Sequence, residues 1–279
     1  VDLPADARAV IRRGEFAGPT SGVATGYAQA NLVVLPQDSA AGFLRFCVVN
    51  RQACPLIDIT EPGSPVPTHA APAADLRTDL PRYRVLRHGR LIDEPTDVTA
   101  YWRPDLVGFL LGCSFTFEWA LAEAGFEMAH QRQQVNVPMY VTNRRCVPVA
   151  PFDGQVVVSM RPFPADQIAE VTAVSARFPA MHGAPIHVGD PAALGIDRLD
   201  RPDFGDAVAL EPDAVPVFWA CGVTPQAVVA QARPELAIFH RPGHMFITDL
   251  PHRAFDLQAA PDVVHQGPPG RGGVLRWLP

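Results

Sequence analysis

Apolar and polar positions fall into short blocks along this chain, and several apolar blocks run straight into helix-patterned stretches. Residues 4–18 and 37–50 read as helices. The second gathers Phe43, Leu44, Phe46 and Cys47 on one face, with Asp38 or Ser39 as the expected N-cap. Leu32–Leu35 predicts a short strand, and the Pro-rich stretch 60–74 predicts a loop. Tyr83–Leu86 and Arg90–Asp93 flank His88-Gly89 as a hairpin. A strand–helix unit follows over 106–125, and 126–149 alternates enough for two more strands. Val156–Met160 and 215–221 predict strands, 165–178 and 225–233 helices, 236–240 a third strand and 245–249 a fourth. Strand, helix, strand, helix, strand implies right-handed crossovers. The expected class is α/β: a mainly parallel or mixed sheet with flanking helices, plus a smaller α+β domain. The α/β body would be discontinuous, 1–59 with 151–279, and the smaller part would span 60–150. The Gly/Pro-rich tail PPGRGGVLRWLP predicts irregular chain.

Two of these units are alike. FLLGCSFTFEWALAEA (109–124) and VFWACGVTPQAVVAQA (217–232) align without a gap at an offset of 108 residues. Cys113 meets Cys221, Thr116 meets Thr224, Glu118 meets Gln226, and alanines coincide at 122/230 and 124/232. Four identities, two of them alanine, read more readily as convergence than as duplication, and no other repeat stands out. The free amides at a helix start can seat a carboxylate or phosphate. Two such seats, one beside an acid and one beside its amide, point to a site for a small anion. In a parallel sheet Ser114 and Thr224 would lie at strand ends, where ligands bind.

Composition narrows the field. A chain of 279 residues buries a substantial core, and its net charge of −6 with no basic block argues against nucleic acid. All 23 basic residues are arginine, which excludes a lysine Schiff base and a P-loop lysine. Five cysteines, Cys47, Cys54, Cys113, Cys146 and Cys221, contain no C-x-x-C pair and fit a reducing cytoplasm. No apolar run approaches the roughly 20 residues of a membrane helix, so no membrane association is expected. Asp2, Asp6, Arg8, Arg12 and Arg13 interrupt any signal-peptide pattern. A homo-oligomer is compatible with all of this.

Each candidate for chemistry has an ordinary structural reading beside it. Glu118 in a first helical turn answers the helix dipole, or it is a desolvated acid that moves protons. Cys113 and Cys221 end apolar runs as buried filler, or serve as activated thiols. Ser114, Thr116 and Thr224 cap helices, and binding would use the same amides. Gln226 cannot titrate and would hydrogen-bond substrate. His182, His187 and Asp190 share one loop, and His244 and Asp249 another, suiting proton transfer. Their spacing matches no specific ligand motif, so no cofactor is expected, with a divalent metal held by these histidines as the lesser alternative. Arg161 could clamp a carboxylate, with Asn143 and Tyr140 completing a polar wall. Asp75, Arg77, Asp79 and Arg82 read as an ion-pair network. No G-x-G-x-x-G, Walker A or G-x-S-x-G occurs.

The chain resembles the bacterial YcsI-type family, to which a provisional hydro-lyase label is attached. The resemblance rests on QANLVVLP (29–36), CPLIDITEPG (54–63), AADLRTDLPRYRV (73–85) and LLGCSFTFEWAL (110–121). It continues through NVPMYVTN (136–143), VVVSMRPFP (157–164), HGAPIHVGDP (182–191), PVFWACGVTPQ (216–226) and PGHMFITD (242–249). That family is similar to a region of mitochondrial D-glutamate cyclase, which closes D-glutamate to 5-oxo-D-proline with loss of water. The resemblance implies a cytoplasmic, cofactor-independent lyase acting on a small amino- or hydroxy-carboxylate. Arg161 and one helix start would hold the α-carboxylate, the other helix start would stabilise an oxyanion, and Glu118, His182 or His187 would shuttle protons. Two rivals remain open: a metal-dependent hydrolase or lyase centred on His182, His187 and His244, and a non-catalytic carboxylate-binding module.

Overall fold

The computed structural model describes residues 2–259. The tail from Pro268 lies outside them. Among the described residues, eleven strands form two sheets. The first half of the chain contributes β1 (Tyr27–Pro36), β2 (Leu56–Ile59), β3 (Tyr83–Arg87), β4 (Arg90–Asp93), β5 (Leu106–Gly112) and β6 (Met139–Arg145). The second half contributes β7 (Gln155–Pro164), β8 (His187–Val188), β9 (Ala214–Ala220), β10 (Ala237–His240) and β11 (Phe246–Pro251). The helices are α1 (Pro4–Arg12), α2 (Gln37–Val49), α3 (Phe115–Glu123), α4 (Ala129–Arg132), α5 (Ile168–Ala176) and α6 (Val223–Ala232).

The larger sheet runs β2-β5-β1-β10-β3-β4, with β11 also on β1, and the smaller runs β6-β7-β9-β8. Every pairing in both sheets is antiparallel, which corrects the expected mainly parallel or mixed sheet and gives the fold α+β character. The error has a physical origin. Continuous apolar strands signal burial on both faces, which parallel sheets usually have. Here an antiparallel sheet has it too. Along β5, Val107, Phe109 and Leu111 join one core cluster, while Leu106 and Leu110 join another. The crossovers also misled: α3 leaves β5 in the large sheet and delivers the chain to β6 in the small one, while α6 runs the opposite way. One strand, β6, stands where two were expected in 126–149. The hairpin forms as read, with His88 and Gly89 both at positive φ, 47° and 76°.

Four strands of the larger sheet repeat the arrangement of the smaller one. The order β2-β5-β1-β11 in one matches β8-β9-β7-β6 in the other. Registers agree as well. Ala30 faces Gly112 and Pro36 faces Leu106, as Val158 faces Ala220 and Pro164 faces Ala214. Ala30 also faces Phe246, as Val158 faces Tyr140. Single hydrogen bonds repeat: Thr142 Oγ1 donates to Val156 O and Thr248 Oγ1 to Ala28 O, both at 2.7 Å. The cores follow suit. Leu35, Phe43, Phe46, Leu111, Val228 and Val229 pack in one cluster, and Phe163, Val171, Val174, Trp219, Ala120 and Leu121 in another. A duplication therefore accounts for the Cys113/Cys221 match better than convergence, and it covers most of the fold. The last strand of each half joins the first strand of the other half's sheet, which brings the two strand–helix turns together.

Candidate functional site

Asn31 joins the two turns. It interrupts the apolar run of β1, and its Nδ2 donates to the carbonyl of Gly112, just before Cys113, at 2.7 Å. The same side chain lies against Gly222, just after Cys221. A Cβ there would sit 2.2 Å from Nδ2, so any larger residue would push the Asn31 amide aside. Cys113, Ser114, Cys221 and Gln226 each keep between 7% and 9% of their surface accessible around this junction. The turns that the sequence singled out are neighbours.

Arg161 enters from β7 and is wholly buried. Its Nε donates to Glu118 Oε1 at 2.9 Å, and Nη2 reaches the same oxygen. Nη2 also donates to Ser114 Oγ, and Nη1 to Ser159 Oγ, each at 2.9 Å. The guanidinium lies over the rings of Phe117 and Trp219, 5.0 and 5.5 Å from their centroids. The other Glu118 oxygen receives Gln131 Nε2 at 3.1 Å and lies 3.5 Å from His130 Nε2. Burial works to raise the Glu118 pKa, but Arg161 and His130 outweigh it and hold the carboxyl at about 2. Glu118 is therefore ionised at neutral pH and poorly suited to shuttle protons. Arg161 does clamp a carboxylate, but the protein's own.

In the other half Gln226 occupies the place of Glu118. Its Nε2 lies 2.8 Å from Nδ1 of His240, which also receives the backbone N–H of Leu32 at 3.1 Å. Burial drives the His240 pKa down to about 4, so the ring is neutral.

The cysteines are thiols. Burial pushes Cys113 up to about 12 and raises Cys221 as well, outweighing the lowering by the backbone N–H groups of Phe115 and Val223. The hydroxyls do not cap. No side chain caps α2, α3 or α6, contrary to the roles expected of Asp38, Ser39, Ser114, Thr116 and Thr224. Thr224 Oγ1 instead accepts from Val157 N at 3.0 Å and donates to Val157 O at 3.2 Å, pinning α6 to β7. Thr116 Oγ1 meets His252 Nδ1 at 3.0 Å.

The remaining candidates lie apart from the junction or at its margin. His182 is buried with Nδ1 2.8 Å from Gln52 O, its Nε2 sealed without a partner, and burial lowers its pKa to about 4. It borders a surface cavity of about 600 Å³ with Cys47, Cys54 and Pro55. A second cavity of about 590 Å³ lies beside Phe163 and Glu211. Neither is lined by Cys113, Ser114 or Cys221. His187 sits on edge strand β8, bonded to Asp190 O at 2.7 Å. Asn143 is exposed on β6, and Tyr140 spends its hydroxyl on Leu199 O at 2.7 Å. His244, with Nδ1 2.9 Å from Pro242 O, lies near His240 and is depressed chiefly by burial. Among the described residues no group of three or more His, Cys, Asp or Glu could hold a metal ion, so His182, His187 and His244 do not converge as the metal reading required. Asp75 and Arg77 do pair, at 2.6 Å, but Asp79 turns instead to Arg12. Sequence reasoning missed Asn31, His130, Ser159 and His240. The available signal was a polar residue inside an apolar strand, as in NLVVL and VVVSM.

No helix among the described residues is long and apolar enough to cross a membrane. The D-glutamate cyclase family model matches residues 107–249, the span holding both turns and Arg161. A Rubrobacter xylanophilus protein is 64% identical over 245 residues, 88% of this chain and 95% of its own length. YcsI of Bacillus subtilis is 57% identical over 247 residues, 88% of this chain and 96% of its own. A Bacillus licheniformis protein is 54% identical over 254 residues, 91% of this chain and 97% of its own. All three carry provisional hydro-lyase names. A solved nitrogen repressor-like protein from Methanococcus jannaschii is similar at a TM-score of only 0.34, with 6% identity over 88% of this chain and 98% of that one. The chain belongs to the D-glutamate cyclase family, among the YcsI-type hydro-lyases.

Proposed function

We propose that this chain is a carbon–oxygen lyase acting on a small amino-carboxylate, with D-glutamate cyclisation to 5-oxo-D-proline as the concrete case. The observation that carries the reading is the meeting of two helix starts at Asn31. Two helix N-termini turned toward one spot favour a bound anion, each contributing roughly half a positive charge. In the reaction the α-ammonium gives up two protons, the nitrogen attacks the γ-carboxyl carbon, the C–O bond breaks, and the oxygen leaves with both protons as water. A substrate with two carboxylates fits the paired helix starts, one seating the α-carboxylate and the other the oxyanion that forms at the γ-carbon. Ser114 Oγ, fixed by Arg161, is placed to bond the substrate. The Glu118–Arg161 pair acts as a rigid support, since Glu118 stays charged. His244, less deeply depressed than His240, is the candidate for proton transfer, and no metal or organic cofactor is needed for the step. A cytoplasmic setting suits five unpaired thiols.

Incubation with D- and L-glutamate, followed by chiral chromatography of the lactam, tests this. Formation of 5-oxo-D-proline from the D-isomer supports the reading. Tight binding without conversion across a panel of D- and L-acids would make the chain a carboxylate-binding protein instead.

A further inference from the structure

The duplicated halves differ at three matched buried positions beside the turns. Asn31 corresponds to Ser159, Gln226 to Glu118, and Val33 to Arg161, by the registers that β1 shares with β7 and by the matched turns. In the second half the guanidinium of Arg161 sits between the equivalent pair, donating to Ser159 Oγ and to Glu118 Oε1, each at 2.9 Å. In the first half the pair is Asn31 and Gln226, and valine brings no cation to it.

The Gly112 carbonyl fixes the orientation of the Asn31 amide, and the Gln226 amide lies against the His240 ring. The Leu32 N–H can only donate, so Nδ1 of His240 must be an acceptor. The Gln226 NH2 group faces the His240 ring, 2.8 Å from Nδ1 and 3.4 Å from Nε2, and Oε1 points away. The Gly112 carbonyl can only accept, so the Asn31 NH2 faces it and Oδ1 points away. Among the described residues no donor reaches either oxygen, and neither is one of the sealed unpartnered atoms. The two side chains are 4% and 7% exposed, so these are nearly buried acceptors that remain reachable.

We infer that Asn31 and Gln226 are specificity-determining residues whose amide oxygens receive the substrate's amino group, where the other half seats the Arg161 guanidinium. His240 is the positioning residue that keeps Gln226 turned the right way. The inference rests on the proposed function and extends it, because it predicts selection for an N–H donor on the α-carbon. A carbonyl oxygen left without that donor in a nearly buried site disfavours the analogue lacking it, by about tenfold or more.

Calorimetric titration of the full chain with D-glutamate and with glutarate, which lacks only the amine, tests this. The unmodified protein should prefer D-glutamate by at least about tenfold. Gln226→Met, close in shape, should bring that preference down to about threefold or less, by weakening D-glutamate and relieving the penalty on glutarate. Equal affinity of the unmodified protein for both acids overturns the inference and leaves the functional reading standing. A variant that weakens both acids alike, or keeps the preference, overturns it too. Binding of neither acid overturns the functional reading and the inference together. The unmodified ratio decides the matter even if the variant does not fold.

Discussion

Glu118 and Gln226 hold the same place in the first turns of α3 and α6, yet one is locked to Arg161 and the other to His240. The same scaffold thus carries a permanent ion pair on one side of the junction and neutral hydrogen-bonding groups on the other. On the proposed reading, divergence after duplication left one half to stiffen the site and the other to read a ligand.

The ion pair should reveal itself through stability. Glu118→Gln removes the carboxylate from a guanidinium with no access to water, and breaking such a pair costs about 3–5 kcal/mol. Urea unfolding should show a midpoint shift of that size. A loss below about 1 kcal/mol would mean that the Ser114 and Ser159 hydroxyls hold Arg161 without help.

The repeated threonines offer a matched pair. Thr142 and Thr248 each donate to a strand carbonyl and accept from a backbone N–H two residues on, at 3.2 Å in both copies. Thr142→Val and Thr248→Val should each cost about 1–3 kcal/mol and agree within about 0.5 kcal/mol. A large difference would show that the two copies no longer bear equal load.

Stability should fall with acid in two stages. His182, His240 and His252 are held by burial at about 4, against 6.5 for a free histidine. Their folded values are depressed, so the unfolded chain takes up protons first. Stability is fully present above about pH 6.5 and is lost as pH falls toward 4. Glu118, at about 2 against 4.5, adds a second loss below pH 4.5. Unfolding free energies measured from pH 7 to pH 3 should decline throughout. A flat profile between pH 6.5 and 4.5 would contradict the buried neutral histidines.

All five cysteines are buried and free, and burial lifts Cys113 to about 12. Ellman's reagent at pH 8 should find almost no reactive thiol in the native protein and all five after unfolding. Rapid labelling of Cys113 would restore the nucleophile role that its position at a helix start first suggested.

Much of this was legible from residue pattern. The strand–helix units, the hairpin at His88-Gly89 and the pairing of Cys113 with Cys221 follow from local periodicity and turn chemistry. Pairing direction was not legible, because a strand buried on both faces looks the same in either kind of sheet. The wider duplication was hidden as well. It survives in register and in bonds such as Thr142 to Val156, while the side chains in between have drifted, as Val33 has from Arg161. Arg161 itself was recognised as a carboxylate binder. That its carboxylate is Glu118 is a fact of three-dimensional packing, beyond the reach of spacing along the chain.

The central claim is that the two strand–helix turns share one ligand. A crystal structure of the protein soaked with D-glutamate tests it most directly. The ligand should lie between the Cys113–Ser114 and Cys221–Gly222 turns, with its nitrogen within hydrogen-bond distance of the Asn31 and Gln226 oxygens. Ligand density in the cavity beside His182 and Cys54, with the junction unchanged, would contradict it.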